Sequence, residues 1–201
     1  QYLVNTLKDL TFDNIYHEHY NYWSLTSLIN FFKKYKVKIY RAEKIQTHGG
    51  SLRIYLKKDL KAKIENNVYK LLDEEEKFGI KNFETYKKFG EKIYEIRKNV
   101  RKNLKILKNK KKKIIGYGAP AKATTFLNFF GISDEIDFVV EDNKLKHNKF
   151  IPGVNIPIYS KNKVNEKNTI IVLAWNFFNE IKKNNNSLSD DFLNIKDFEK
   201  K

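Results

Sequence analysis

A glycine-rich turn between an apolar run and a helical pattern constrains the fold of this chain more than any other feature. The run 113-KIIGY-117 overlaps 116-GYGAPA-121, which has the spacing G-x-G-x-x-A, and a helical pattern extends from Pro120 to about Gly131. Another apolar run, 136-IDFVV-140, follows. Strand, glycine turn, helix and strand in this order are typical of a doubly wound, parallel α/β sheet.

A further buried strand is predicted at 169-TIIVLAW-175, after the turn-rich segment 152-PGVNIP-157. Trp175 and Asn176, at its carboxyl end, occupy the position where open α/β sheets bind ligands, and packing of the indole explains the tryptophan equally well. Residues 113–201 are therefore predicted to form a Rossmann-like, mostly parallel sheet flanked by helices.

The amino-terminal part has a different periodicity. It predicts a helix at about 25–35, then strands at 37–45 and 52–56, and helices from about 61 to 109 with a break at 78–82.

We expect three segments along the chain. Residues 1–60 contain the strand, loop, strand unit, residues 61–112 form a long helical connector, and residues 113–201 form the Rossmann-like domain.

Composition limits the classes of function. The 201 residues carry 40 Lys and Arg against 24 Asp and Glu, a net charge of +16, which favours a polyanionic partner or a phosphorylated ligand. The chain has no Arg-rich run and no zinc-finger spacing, so we expect no nucleic-acid partner. Cysteine is absent, which excludes disulfides and fits a cytoplasmic location, and no apolar run reaches the roughly 18 residues that cross a membrane. Methionine is absent even at position 1, so we expect further residues upstream.

The glycine turn suggests a nucleotide-type ligand. Glycines allow a sharp turn close to a ligand, the following helix presents N–H groups to a phosphate, and Lys122 adds a cation. Glu141 or Asp142, at the end of the next strand, lies where dinucleotide enzymes bind a ribose. The alternative is that the glycines only shape the connection between strand and helix.

The stretch 15-IYHEHYNYW-23 concentrates histidines and tyrosines. In an extended segment, Tyr16 and Glu18 would point to one face, and His17 and His19 to the other. Histidine is a suitable base for removing a proton beside a carbonyl group, but histidines hydrogen-bonded at a domain edge are an equal alternative. A zinc site is a weaker alternative, with His17, His19 and His48 as ligands.

His48 lies in 47-THGGSLR-53, which offers a second anion site. Its two glycines and Ser51 could form a backbone nest, and Arg53 could reach a phosphate. An ordinary hairpin turn is the equal alternative.

Five motifs, taken in order, resemble the C-terminal half of S-adenosyl-L-methionine (SAM)-dependent sugar C-methyltransferases, enzymes that act on nucleotide-linked 4-keto-deoxysugars. They are 12-FDNIYHEHYNYWSL-25, 47-THGGSLRIYL-56, 115-IGYGAPAKATTFLNFFGI-132, 142-DNKLKHNKFIPGVNIPI-158 and 173-LAWNF-177. The resemblance spans most of the chain, and the ordered combination is more specific than any single motif.

The resemblance implies a longer enzyme of deoxysugar biosynthesis. In that family a zinc-binding segment and a SAM-binding domain precede a Rossmann-like domain that helps hold the nucleotide-sugar, expected here to be dTDP-linked. Residues 1–60 would then be the end of the SAM domain. The zinc and most of the SAM pocket would lie upstream, and the isolated chain is expected to be inactive.

The resemblance also assigns roles to residues. Its Y-H-E-H motif falls on residues 16 to 19, with His19 as the general base, Tyr16 and Glu18 beside the sugar, and His17 in the same cluster. The expected substrate-binding residues are Gly116, Tyr117, Gly118, Ala119, Lys122, His48, Ser51, Arg53, Asp142, Asn143, Trp175 and Asn176.

Two other functions remain open. An NAD-dependent oxidoreductase would use the glycine turn with Glu141 or Asp142 on the ribose, although only one short Rossmann-like unit is visible in the sequence. A basic nucleic-acid-binding module is the second alternative, and its affinity would fall steeply with salt.

Overall fold

The computed structural model describes residues 1–110, 113–166 and 168–200, with only the backbone of His48. The chain forms two compact units, residues 1–93 and 94–201. The boundary falls within one 27-residue helix, Phe83–Asn109.

The first unit is built from helices and one hairpin. Its elements are α1 (Leu3–Lys8), α2 (Leu25–Lys33), β1 (Lys38–Ile45), β2 (Ser51–Lys57), α3 (Asn66–Phe78) and the start of α4 (Phe83–Asn109). β1 and β2 pair antiparallel, as the alternating sequence predicts. The helix predicted at 25–35 is α2, and the Ser24 hydroxyl accepts a hydrogen bond from the Ser27 amide at 3.0 Å, an N-cap that fixes where this helix begins.

The core of this unit lies between the hairpin and two helices. Apolar side chains of α2, β1 and α3 form one buried cluster: Leu25, Ile39, Ala42, Val68 and Leu71. α3 begins at Asn66, five residues after the predicted start at 61. It ends at Phe78 because Gly79 adopts φ +79°, a left-handed conformation that costs glycine little. This is the predicted break between the two helices.

A fully buried carboxylate joins α3 to the first turn of α2. The Glu75 Oε1 atom accepts a hydrogen bond from the Leu25 amide at 2.5 Å, and Oε2 accepts from the Thr26 amide and hydroxyl at 2.8 and 2.6 Å. A carboxylate is favourable here because the N-terminus of a helix presents unpaired N–H groups and partial positive charge. Burial and this carboxylate raise the pKa of the buried Tyr2 hydroxyl.

The second unit is an α/β sheet. After α4 it contains β3 (Ile114–Tyr117), α5 (Ala121–Phe130), β4 (Phe138–Val140), β5 (Lys149–Phe150), β6 (Pro157–Tyr159), β7 (Thr169–Val172), α6 (Phe178–Asn184) and β8 (Phe192–Asn194). The strand order is β5-β6-β4-β3-β7-β8, and all neighbours are parallel except β5 and β6. The predicted Rossmann-like, mostly parallel sheet is confirmed.

The order of the strands creates a crevice at the carboxyl ends of β3 and β7. From β3 the chain moves outward through β4 and β6, and then returns to the other side of β3 through β7 and β8. Ligands of open α/β sheets bind at such a reversal, outside the carboxyl ends of the strands. β6 and β8, which the sequence analysis missed, extend the fold beyond the single unit that it recognised.

The three central strands of this sheet, β3, β4 and β7, are short but completely buried. All four residues of β3 are buried, and Ile115 and Tyr117 lie in one cluster with strands β4, β7 and β8, against which Phe178 and Ile181 of α6 pack. No helix among residues 1–110, 113–166 and 168–200 is long and apolar enough to cross a membrane.

Candidate functional site

Tyr16 and His19 lie together on a turn. The His19 amide donates a hydrogen bond to the Tyr16 carbonyl oxygen at 2.9 Å, and the two ring centroids are 4.5 Å apart. The extended alternation considered from the sequence, with these two side chains on opposite faces, is wrong. A turn closed between residues three apart brings its ends to the same side.

The backbone determines which nitrogen of His19 carries the proton. The His19 Nδ1 atom lies 2.9 Å from the carbonyl oxygen of Asn14, which can only accept a hydrogen bond, so Nδ1 carries hydrogen. In the neutral ring Nε2 then has the lone pair, and the Tyr16 hydroxyl lies 3.4 Å from it. This is the tautomer that a general base needs at Nε2.

Two tyrosines near this imidazole have a raised pKa: Tyr16 lies against the ring, and Tyr22 shares the Asn14 carbonyl oxygen with it. Burial and the carboxylates of Glu18 and Asp13 raise the pKa of Tyr16, and burial, the neighbouring Tyr16 and the Asp13 carboxylate raise that of Tyr22. The Tyr22 hydroxyl donates to the same Asn14 carbonyl at 2.6 Å. Sequence reasoning gave Tyr22 no role, because nothing in the motif reveals that it shares an acceptor with His19.

His17 and Glu18 are placed differently from His19. Their side chains are 79% and 66% exposed, and the His17 Nε2 atom lies 3.9 Å from Glu18 Oε1. No group of three His, Cys, Asp or Glu side chains that could hold a metal occurs within the described ranges. The zinc alternative that includes His48 lies outside the described residues, because this side chain is not among them.

The loop before β2 satisfies its own polar groups. The Gly50 amide and the Ser51 hydroxyl both donate to the Thr47 carbonyl oxygen at 3.0 Å. Gly50 has φ +113°, and a Cβ there would lie 2.5 Å from the Asn5 side chain. Arg53 is exposed. These contacts account for the glycines as a structural turn, and the predicted anion nest stays a prediction.

The glycine turn of the second unit lies at the crevice. Gly118 has φ +87°, and a Cβ on it would lie 2.9 Å from the Ala174 Cβ. A Cβ on Gly116 would lie 2.8 Å from Val139. Both glycines are therefore required for the turn to pass between the ends of β4 and β7.

The amides of this turn already have acceptors. The Gly118 amide donates to the Val140 carbonyl oxygen at 2.8 Å, and the Ala119 amide donates to Glu141 Oε2 at 2.8 Å. A phosphate contacting the Ala119 amide, as the sequence analysis expects, must displace the Glu141 carboxylate. The Lys146 ammonium, which the sequence analysis missed, donates to the Ala119 carbonyl oxygen at 2.9 Å and lies 3.6 Å from Glu141 Oε2.

Both acids proposed for a ribose have internal partners. Glu141 Oε1 accepts from the Asn143 amide at 3.1 Å. Asp142 accepts from the Tyr117 hydroxyl at 2.9 Å and forms an ion pair with Lys161 at 2.6 Å. Although burial opposes ionisation, Lys161 and Tyr117 lower the pKa of Asp142. A dinucleotide ribose would have to replace these contacts.

Comparison with known proteins identifies the family of this chain. The chain is 32% identical over 184 residues to the C-methyltransferase NovU of Streptomyces niveus, which covers 90% of this chain and 44% of that protein. Residues 46–192 match the family described as C-methyltransferase C-terminal domain. The chain belongs to this family. It spans less than half the length of the relative. The resemblance to the C-terminal half of C-methyltransferases, which the five sequence motifs suggest, is confirmed.

The C-methyltransferase C-terminal domain match includes the whole strand, turn and helix of the crevice. Tyr16 and His19 precede the matched residues 46–192. Lys122 is the second residue of α5 and is half-buried. The family match therefore bears on the crevice, and the expected role of His19 as a base stays a prediction.

β7 ends at Val172, three residues before the end predicted for this strand at residue 175. Trp175 therefore lies after the strand, in a short 3-10 turn, Trp175–Phe177. Its indole packs against Phe126, with ring centroids 5.6 Å apart. Asn176 is exposed. Both side chains line an open cleft of about 520 Å³ at the carboxyl edge of the sheet.

Proposed function

We propose that this chain is the part of a SAM-dependent C-methyltransferase that binds a nucleotide-linked 4-keto-deoxysugar and removes the proton beside its ketone. One observation carries the proposal. The Asn14 carbonyl oxygen holds His19 with hydrogen on Nδ1, so that Nε2 is the basic nitrogen, beside the Tyr16 hydroxyl.

The proton transfer follows from these two side chains. His19 Nε2 takes the proton from the carbon next to the ketone, so the C–H bond breaks and an N–H bond forms. The electron pair left on carbon spreads onto the ketone oxygen as an enolate. Because its pKa is raised, Tyr16 keeps its proton near neutral pH and can donate a hydrogen bond to that oxygen.

The residues described here do not fit a binding site for SAM. The first unit contains an antiparallel hairpin but no glycine turn that follows a parallel strand, and the glycine turn of the second unit has its neighbouring acids engaged. We place the methyl donor on another part of a longer protein, which accords with a relative more than twice as long as the aligned region. The enolate carbon would receive the methyl group there.

The crevice of the second unit suits the diphosphate of the nucleotide-sugar. Lys146 lies at the turn, Lys122 is in the first turn of α5, and the first turn of a helix favours an anion. In the structure, the Glu141 carboxylate accepts the hydrogen bond of the Ala119 amide and so acts as an internal anion. A phosphate oxygen can take its place, with Lys146 neutralising the added charge.

Methyl transfer by the full-length protein tests this function. With a dTDP-4-keto-deoxysugar and SAM, His19→Ala should lower kcat by roughly 10²- to 10⁴-fold, the usual contribution of a general base, and leave the Kd of the nucleotide-sugar nearly unchanged. His17→Ala should lower kcat much less, because this exposed ring faces Glu18. Normal turnover in His19→Ala would refute the assignment.

An NAD-dependent oxidoreductase is the second candidate, because the strand order is also that of dinucleotide-binding sheets. The internal contacts of Glu141 and Asp142 weigh against it. Calorimetry with NAD and with a dTDP-sugar separates the two candidates, since only one of these ligands should bind.

A further inference from the structure

A small pocket of the first unit lies between α2 and α3. Its volume is about 310 Å³, at the lower end of the range of small-molecule sites. Three apolar side chains line it: Ile29 of α2, Leu72 of α3 and Ile80, which follows α3. These three residues are buried or half-buried, and we call them the apolar floor of the pocket.

Two charged side chains of opposite sign line the same pocket. Glu76 and Lys81 are both exposed, in contrast to the apolar floor. Neither charged group forms a hydrogen bond or an ion pair with any residue that the structure describes. The pocket therefore presents one anion and one cation, both without a protein partner in that part of the chain, beside an apolar surface.

The position of Glu76 is unfavourable within α3 itself. It lies in the last turn of this helix, where the helix dipole and the unpaired carbonyl oxygens favour a cation over an anion. The next residue, Lys77, is a cation, but its ammonium group is engaged by Asp73 at 2.6 Å. A carboxylate and carbonyl oxygens at one helix end attract an ammonium group, and a ligand can supply it.

The two charges together favour a zwitterion. A simple anion would be attracted by Lys81 and repelled by Glu76, and a simple cation would meet the reverse. An α-amino acid carries an ammonium and a carboxylate group on one carbon, so it can pair with both residues at once. The N-terminal amides of α2 do not compete for its carboxylate, because Glu75 already accepts from them.

We propose that this pocket binds a free α-amino acid with an aliphatic side chain. The ammonium group pairs with Glu76, the carboxylate pairs with Lys81 and the exposed amide of Asn30, and the side chain covers the apolar floor. All of these residues lie in the first unit, and none takes part in the proposed proton transfer. The inference is therefore independent of the proposed function.

A series of straight-chain amino acids tests the apolar part of the site. L-Alanine, L-2-aminobutyrate, L-norvaline and L-norleucine differ by one methylene group at each step. Nuclear magnetic resonance titration of the chain should show affinity that rises roughly 3- to 4-fold per step, as the burial of one methylene group predicts. Pentylamine and hexanoate, which lack the carboxylate and the ammonium group of L-norleucine, should each bind more weakly than it does.

Two substitutions test the charged part of the site. Glu76→Gln and Lys81→Gln should each weaken L-norleucine by roughly 2- to 5-fold, the usual effect of losing one exposed ion pair. Glu76→Gln should also bind hexanoate as well as it binds L-norleucine, because the ammonium group no longer has a partner. The matched controls are Glu91→Gln and Lys70→Gln, which change exposed charges of the same unit outside the pocket. Both should bind like the parent.

Three results would overturn the inference. They are a parent that binds none of the four amino acids, an affinity that does not rise along the series, and equal affinities of the Glu76, Lys81 and control variants. Because the substituted side chains are exposed and without protein partners among the described residues, these variants should fold like the parent, and urea unfolding verifies it.

Discussion

The Nδ1 atom of His19 lies 2.9 Å from the carbonyl oxygen of Asn14, and this contact determines the chemistry of the imidazole. Asn14 is buried at the end of a 3-10 turn, Phe12–Asn14, so the acceptor belongs to a rigid backbone segment. A carbonyl oxygen cannot donate, so the ring is held with Nε2 as its basic atom. A side-chain acceptor could rotate, whereas this one cannot.

The Tyr16 hydroxyl is expected to assist the reaction at Nε2. It lies 3.4 Å from this atom, and Tyr16→Phe removes it without changing the ring. Loss of one hydrogen bond that strengthens in the transition state should lower kcat by about 10-fold. Tyr22→Phe is the comparison, since that hydroxyl contacts the Asn14 carbonyl instead, and its kcat should fall less. Steady-state kinetics of both variants measure these losses. A larger fall of kcat in Tyr22→Phe than in Tyr16→Phe would contradict this role.

Gly118 is expected to tolerate no side chain. Gly118→Ala requires φ +87° and places a Cβ 2.9 Å from the Ala174 Cβ, so it should lower the free energy of unfolding by about 1–3 kcal/mol. Gly90→Ala is the matched control in the interior of α4, where a Cβ meets no atom within 4 Å. It should raise stability by about 0.5–1 kcal/mol. Urea unfolding measures both, and equal shifts would refute the argument.

The Glu75 carboxylate is expected to contribute strongly to stability. Glu75→Ala leaves the buried Leu25 amide and the half-buried Thr26 amide and hydroxyl without their acceptor, which should cost about 3–5 kcal/mol. The neighbouring Glu76 is exposed, and Glu76→Ala should change the free energy of unfolding by less than about 0.5 kcal/mol. Similar urea midpoints for the two variants would show that the buried contacts are not stabilising.

Tyr2 should make the protein less stable at alkaline pH. Burial and the carboxylate of Glu75 raise its pKa above the ordinary value of 10.0. The folded state therefore holds this proton more tightly than the unfolded state, so the stabilisation is complete below about pH 10 and falls as the pH rises further.

Unfolding measured between pH 8 and 11 tests this expectation. Tyr2→Phe should reduce the loss of stability above about pH 10 by up to roughly 1.4 kcal/mol per pH unit, the slope that one proton produces. Tyr69→Phe changes a tyrosine that is 55% exposed and should keep the slope of the parent. An unchanged slope in Tyr2→Phe would contradict the assignment.

The elements that sequence analysis predicted correctly carry long or repeated patterns. The helix 25–35, both hairpin strands, and the strand, turn and helix around Gly118 have periodicity or glycines that local physics determines. β6 and β8 have only three residues each, too few to show an alternation, and their pairing depends on strands distant in sequence.

Contacts of side chains with backbone groups were less predictable, because they also join residues that are distant in sequence. Glu75 lies 50 residues from Leu25, and Lys146 lies 27 residues from Ala119. A charged side chain on a polar face gives no sign in the sequence that it turns inward to a backbone group. The motif around His19 was visible, but its tautomer depends on the carbonyl oxygen of Asn14, and no residue type encodes that position.

Hydrogen exchange of the substrate is the most direct test of the base. A dTDP-4-keto-deoxysugar is incubated with the full-length protein in D₂O, with the demethylated donor product present so that no methyl transfer competes. Mass spectrometry follows deuterium at the carbon next to the ketone, after subtraction of the exchange without protein. The parent should catalyse this exchange, and His19→Ala should slow it by roughly 100-fold or more. Exchange at the parent rate in His19→Ala would contradict the account.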